Sequence, residues 1–142
     1  MERKEDLNLV LNDLLKINND RIEVYKKAIK EVREFDIKQV FAGLVEECRK
    51  FSVKLALEIL RRGGTPMVGS TTTAGKIYRL WFEIKESLLG TDRESILNAC
   101  EFVDEAIQNA YRQALEHSDL PPDLRSEITT QQSMRVTYGL AP

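Results

Sequence analysis

The feature that most constrains this chain is a helical run that occurs twice. Leu11-Asn-Asp-Leu-Leu-Lys-Ile-Asn-Asn-Asp-Arg-Ile-Glu-Val-Tyr25-Lys-Lys-Ala28 returns in degenerate form 86 positions later, at Leu97 to Ala114. In that register Leu11 aligns with Leu97, Leu14 with Cys100, Asn18 with Asp104, Arg21 with Ile107, Tyr25 with Tyr111 and Ala28 with Ala114. The shared positions step by three and four, so they fall on one face of a helix. Each stripe carries a polar residue near its middle, Asn18 in one copy and Asp104 in the other. A chain with such a stripe written twice is expected to build the same helical hairpin twice.

The chain in order supports that expectation. A first helix is expected from about residue 6 to 33, with Leu7, Leu11, Leu14, Tyr25, Ala28 and Val32 inward. Phe35-Asp36 should break it, and Asp36 with Gln39 three residues later reads as an N-cap and capping box for a second helix. So short a link makes the two antiparallel neighbours. The second helix places Phe41, Leu44, Cys48, Phe51, Leu55 and Ile59 inward and should stop at Gly63-Gly64, where a left-handed turn is free of side-chain clash. Residues 65 to 73 have loop chemistry. A shorter helix over about 74 to 89 carries Ile77, Trp81, Ile84 and Leu88 on one side, with Gly90 as its stop. Thr91 and Glu94 form a second capping box for a long helix over 92 to 117. A turn at Ser118 to Pro122 leads to a last helix, to about residue 138, with Leu124, Ile128, Gln131, Arg135 and Tyr138 inward. No alternating strand pattern competes.

The fold class expected is therefore all-α: a four-helix bundle of two duplicated antiparallel hairpins joined by a helical crossover, five helices in one domain over 1–142. The crossover helix, about 16 residues at 1.5 Å each, gives roughly 24 Å, enough to return along the bundle. A chain of 142 residues can bury roughly two-thirds of its unfolded surface in one core.

Charge and composition exclude several functions. With 21 basic against 23 acidic residues and a net charge of −2, nothing marks a nucleic-acid interface. No apolar run approaches the roughly 18 residues of a membrane span, and the charged start is not a secretory signal. The expectation is a soluble, cytoplasmic protein whose two cysteines, Cys48 and Cys100, stay reduced.

Three groups of residues carry a family likeness: Leu15-Lys-Ile-Asn18-Asn19-Asp20-Arg21 with Tyr25-Lys-Lys-Ala28; Gly75-Lys76 with Arg79, Trp81, Ile84 and Lys85; and Asp104-Glu105-Ala106 with Tyr111 and Leu120-Pro121-Pro122. Through them the chain resembles a group of uncharacterised bacterial four-helix-bundle proteins, a domain of unknown function. The duplicated hairpin with a long crossover is also the plan of the ferritin-like superfamily. That resemblance implies a fold but brings no established role.

Ferritin-like di-iron proteins place Glu and Glu-x-x-His at mid-bundle. Helix midpoints here fall near Asn18, Cys48, Asp104 and Gln131, with Arg21 and Arg135 a turn away. Only Asp104 is a carboxylate, and the single histidine, His117, has no glutamate three residues before it. No metal or other cofactor is expected. Asn18, Arg21, Cys48, Asp104, Gln131 and Arg135 form instead a candidate buried polar layer that fixes register, with Asp104 paired to Arg21 or Arg135.

Other motifs are weak. The run from Gly69 to Lys76 departs from a phosphate-binding loop in glycine spacing, in having Ile77 where Ser or Thr is required, and in lacking a preceding strand. The usual role of such a loop is capping, and plain anion capture by the free N–H groups at the start of the third helix is the alternative. Trp81, the lone tryptophan, either packs onto the bundle or serves as an interaction surface for a second copy or a protein partner. The functional expectation is a non-catalytic bundle acting as scaffold, stress-related accessory or partner-binding protein. The alternatives are a metal-dependent oxidase or metal carrier with an unusual ligand set around Asp104 and Glu105, and a small-molecule binder with a cavity at the polar layer.

Overall fold

A computed structural model describes residues 2–71, 76–87 and 93–134, and over these the chain is all-helical. Five helices are described: α1 (Glu2–Glu31), α2 (Phe35–Arg61), α3 (Lys76–Ser87), α4 (Arg93–Leu115) and α5 (Pro122–Gln132). The core is one cluster that runs through α1, α2 and α4, from Leu11 and Phe41 to Ile107 and Tyr111, and is completed by Trp81 of α3 and Ile128 of α5.

The first hairpin is the longer one, with 30 residues in α1 and 27 in α2. Its link is Val32 to Glu34. The expected Asp36–Gln39 capping box does not form. The N-cap is Glu34, in an extended conformation and with no side-chain cap bond, and Asp36 sits in the first turn, where its charge complements the helix dipole. Lys38 crosses the link, its Nζ donating to the Ile29 carbonyl at 2.6 Å, and so satisfies an orphan acceptor of α1. The end of α2 follows expectation: Gly63 has φ +78° and the Gly64 N–H returns to the Ile59 carbonyl at 2.9 Å. Gly64 is also a close approach, since a Cβ there would lie 2.6 Å from Asn8 Nδ2.

The described part of the crossover helix, α3, has 12 residues, about 18 Å of helix; its expected bounds near 74 and 89 lie outside the described residues. Loop 65–71 leads toward it, strapped to α1 by asparagines. Asn12 Nδ2 donates to the Thr65 carbonyl at 3.2 Å and its Oδ1 accepts the Met67 N–H at 2.8 Å; one helical stretch further on, Asn19 Nδ2 donates to the Ser70 carbonyl at 2.7 Å. At the top of this strap Asp20 Oδ2 accepts the Ile77 N–H at 3.4 Å, which seats the first turn of α3 on α1. Trp81 then turns into the core and is fully buried.

The second hairpin is unequal, with 23 residues in α4 and 11 in α5. α5 does not continue to residue 138 as expected. Ser133 closes it, donating its N–H to the Thr129 carbonyl and its Oγ to the Thr130 carbonyl, and the β-branched Thr129-Thr130 pair just before it is a poor helix former. Arg135 and Tyr138 lie outside the described residues, as do the Gly90 stop and the Thr91 cap, and the side chains of Ile84 and Leu88. Arg125 of α5 reaches back to the end of α4, donating to the carbonyls of Leu115 at 2.7 Å and His117 at 3.1 Å, so an arginine holds the negative end of that helix.

Candidate functional site

At the level where α1, α2, α4 and α5 cross, the core turns polar. Asn18, Arg21, Cys48 and Gln131 each have 1% or less of their surface exposed. α1 supplies Asn18 and Arg21 from one stripe, α2 supplies Cys48 and Phe51, α4 supplies Tyr111 and α5 supplies Gln131.

One chain of hydrogen bonds connects them. Arg21 Nη2 donates to Asn18 Oδ1 at 2.8 Å, and Arg21 Nε donates to Cys48 Sγ at 3.1 Å. Asn18 Nδ2 donates to the Leu14 carbonyl at 2.9 Å and to the Tyr111 hydroxyl at 2.7 Å. The Tyr111 hydroxyl donates to Gln131 Oε1 at 2.8 Å, and Gln131 Nε2 to Glu127 Oε2 at 3.0 Å. Glu127 in turn pairs with Lys54 of α2 at 3.6 Å, where the chain reaches the surface. The guanidinium carbon of Arg21 stands 6.0 Å from the centre of the Phe51 ring, within cation–π range.

Arg21 is thus a buried cation gripped by an amide oxygen, a thiol sulfur and a ring face, in place of the Asp104 carboxylate expected as its partner. Taking a cation out of water costs several kcal/mol, which these contacts offset only while all are kept. Burial weighs against the charge, but the Cys48 thiol and the Tyr25 and Tyr111 phenols around it would ionise first, and together they hold Arg21 above its ordinary value. Burial pushes the Cys48 thiol up although Arg21 pulls the other way. It pushes Cys100 up to about 12, against the opposing pull of the Trp81 indole beside it. Tyr111 and Tyr25 are raised by burial too, each with Arg21 opposing. Neutral thiols and phenols near physiological pH are the consequence.

The sequence-derived layer is therefore only partly assembled. Asn18, Arg21, Cys48 and Gln131 meet. Asp104 is half-buried, one carboxylate oxygen out of solvent, and lies near enough to Tyr25 and both cysteines for its charge to raise all three. Arg135 is outside the described residues. Trp81 is not a surface residue at all, being fully buried against α4 beside Cys100. Sequence reasoning missed the hub: Tyr111 registers there only as the repeat of Tyr25, yet its hydroxyl joins Asn18 to Gln131. It missed Gln108 and Asp20 as well, exposed only 2% and 1%, because neither lies on the main apolar stripe.

A pair of metal ions does not fit this waist. Amides, thiols and phenols surround a fixed cation, and of the carboxylates at its edge Glu127 is already held by Gln131 and Lys54, whereas two divalent ions require several carboxylates free to bind them. Among the described residues no three His, Cys, Asp or Glu side chains stand together as a metal ion would need. Two cavities lie outside the waist, one of about 660 Å³ between α1 and α4 beside Leu14 and Ala110, another of about 570 Å³ where α3 meets α1. Among the described residues no helix is long and apolar enough to cross a membrane.

Residues 6–117 match the family model described as "Domain of unknown function (DUF2383)", a span that contains both copies of the repeat. No curated protein matches the chain.

Proposed function

The chain belongs to the DUF2383 family, a domain of unknown function, and from that premise we propose that it is a non-catalytic, cytoplasmic bundle, ferritin-like in plan but without a di-metal centre, that works by presenting its outer surface to a protein partner. The observation that carries this reading is the waist. Where a ferritin-type bundle would gather glutamates and histidines, this chain places a buried arginine whose polar contacts are Asn18 and Cys48. A cation seated there opposes binding of further cations. The core thiols are free and buried, which suits a reducing compartment.

The partner half of the reading is supported by α2. Val53, Leu57 and Leu60 recur at helical spacing and are 58%, 54% and 57% exposed, an apolar stripe on the side of α2 away from the core. This stripe replaces Trp81 as the surface where a protein, or a second copy of the chain, would sit.

Elemental analysis of protein produced with iron or manganese supplied tests the proposal. Metal well below one ion per chain is expected. Stoichiometric metal that disappears in Asp104→Ala would overturn it in favour of a metal-dependent protein with an unusual ligand set.

A further inference from the structure

The cations of this protein fall into two groups. Most of the surface ones are engaged: Arg49 with Glu46, Lys50 with Glu47, Lys54 with Glu127, Arg61 and Arg62 with Glu58, and Lys38 and Arg125 with helix-end carbonyls. Five others have no ion pair or hydrogen bond among the described residues: Lys16 and Arg33, which stand apart, and Lys27, Lys30 and Arg79, which converge. These three line one cavity of about 570 Å³ between α1 and the first turns of α3, together with Lys26 and the hydroxyl-bearing Thr71 and Tyr78.

The acids on the same wall are already committed. Asp20 is buried and accepts the Ile77 N–H, so it occupies the start of α3 and that helix end is not the binding group. Glu23 pairs with Lys26 at 3.6 Å. Four cations against two carboxylates leave a surplus of two positive charges facing one space on a protein whose net charge is −2. Like charges held together raise the energy of the empty cavity, and an anion with several charges relieves it. Arginine offers a planar fork that matches a phosphoryl group, while lysines act as point charges beside it. The volume is that of a small-molecule site.

We propose that this cavity binds a small molecule carrying adjacent phosphoryl groups, with Lys27, Lys30 and Arg79 as the anion ligands. Tyr78 forms the wall against which any organic part of the ligand rests. The site is separate from the waist and from the outer face of α2, so it stands or falls independently of the function proposed above.

Calorimetric titration of the whole chain with inorganic pyrophosphate and with ADP at low ionic strength tests it. Saturable binding is expected, weakened at least about tenfold by Lys27→Ala or Arg79→Ala, as loss of one charge-assisted contact implies, and weakened further by added salt. Equal affinity for both probes would locate recognition in the phosphoryl groups; tighter binding of ADP would add a contact to Tyr78. A control variant, Arg49→Ala with Lys50→Ala, lies on the opposite side of the hairpin and should bind as the parent does. Absence of saturable binding at millimolar pyrophosphate, or equal weakening by the control variant, would overturn the site. All of these residues are at the surface, so thermal melting of each variant distinguishes lost binding from lost folding.

Discussion

Arg21 and the cluster of Lys27 and Lys30 of the same helix with Arg79 of α3 are all cations, and they differ in what the fold has done with them. Arg21 is sealed in the core, its guanidinium held by Asn18 and Cys48 and faced by Phe51. The cluster faces a cavity and holds nothing of its own among the described residues. Position on α1 decides which is which: Arg21 lies on the repeated stripe that faces α2 and α4, whereas Lys27 and Lys30 follow Asp20 and Glu23 down the side that faces α3. A charge whose contacts are all internal is architecture; a charge left open is available.

The largest effect should come from emptying the waist. Arg21→Ala leaves Asn18 and Cys48 without their partner and opens a void, and it should cost about 3–5 kcal/mol in chemical denaturation. Arg21→Met, which keeps the volume and removes the charge, should cost less than half as much, because a buried ion is often replaceable by an apolar isostere. If the two variants were equally damaging, charge and not packing would be what the waist requires.

Alkali should act next. The thiols and phenols around Arg21 and Cys100 are raised in the folded state, so between their ordinary values and the folded ones the unfolded chain has lost protons that the native chain keeps. Stability is complete below about pH 9 and falls as pH rises, by about 1.4 kcal/mol per pH unit for each such group. For Cys100 that window runs from the ordinary thiol value of 9.0 to about 12. Cys100→Ala should flatten the decline, as read by urea midpoints at successive pH values; an unchanged slope would contradict the assignment to burial.

Smaller losses sharpen the comparison further. Tyr111→Phe removes the hydroxyl that joins Asn18 to Gln131 and should cost about 1–2 kcal/mol. Asn19→Ala frees Ser70 from α1 and should cost about 1 kcal/mol, with amide exchange in loop 65–71 rising more than in α2. Smallest of all, the combined Lys27→Ala, Lys30→Ala and Arg79→Ala variant should leave the denaturation midpoint within error or raise it slightly, since it removes unpaired like charges. A marked loss there would mean that the cluster is structural after all.

What could be read from the chain follows from where periodicity carries information. Three-and-four spacing located Asn18, the core of α1 and most of that of α2 and α4, and the glycine pair located the stop of α2, because each depends on local spacing or backbone freedom; Leu44 and Leu97, expected inward, are half-buried, and Val45 and Ile96 beside them fill the core. The partner of Arg21 was not legible: spacing places Asp104 and Cys48 at a similar level, and only three-dimensional packing selects the thiol. The strapping of loop 65–71 to α1 was not legible, because Asn12 and Asn19 face outward from the apolar stripe and look like solvent contacts in one dimension. The cation cavity was equally hidden, since Lys27 and Arg79 are 52 positions apart in the chain. Trp81 was ambiguous for a further reason: nothing in the sequence of α3 itself says which of its sides α1 and α4 will cover.

The direct test of the waist is the side-chain hydrogen exchange of Arg21, followed by NMR on the Nε–H that points at Cys48. The expected result is a single resolved signal that exchanges only as fast as the whole molecule unfolds and that does not shift when iron, manganese or pyrophosphate is added. Rapid exchange with solvent, or a shift on addition of metal, would contradict a sealed arginine and reopen the centre of the bundle as a working site.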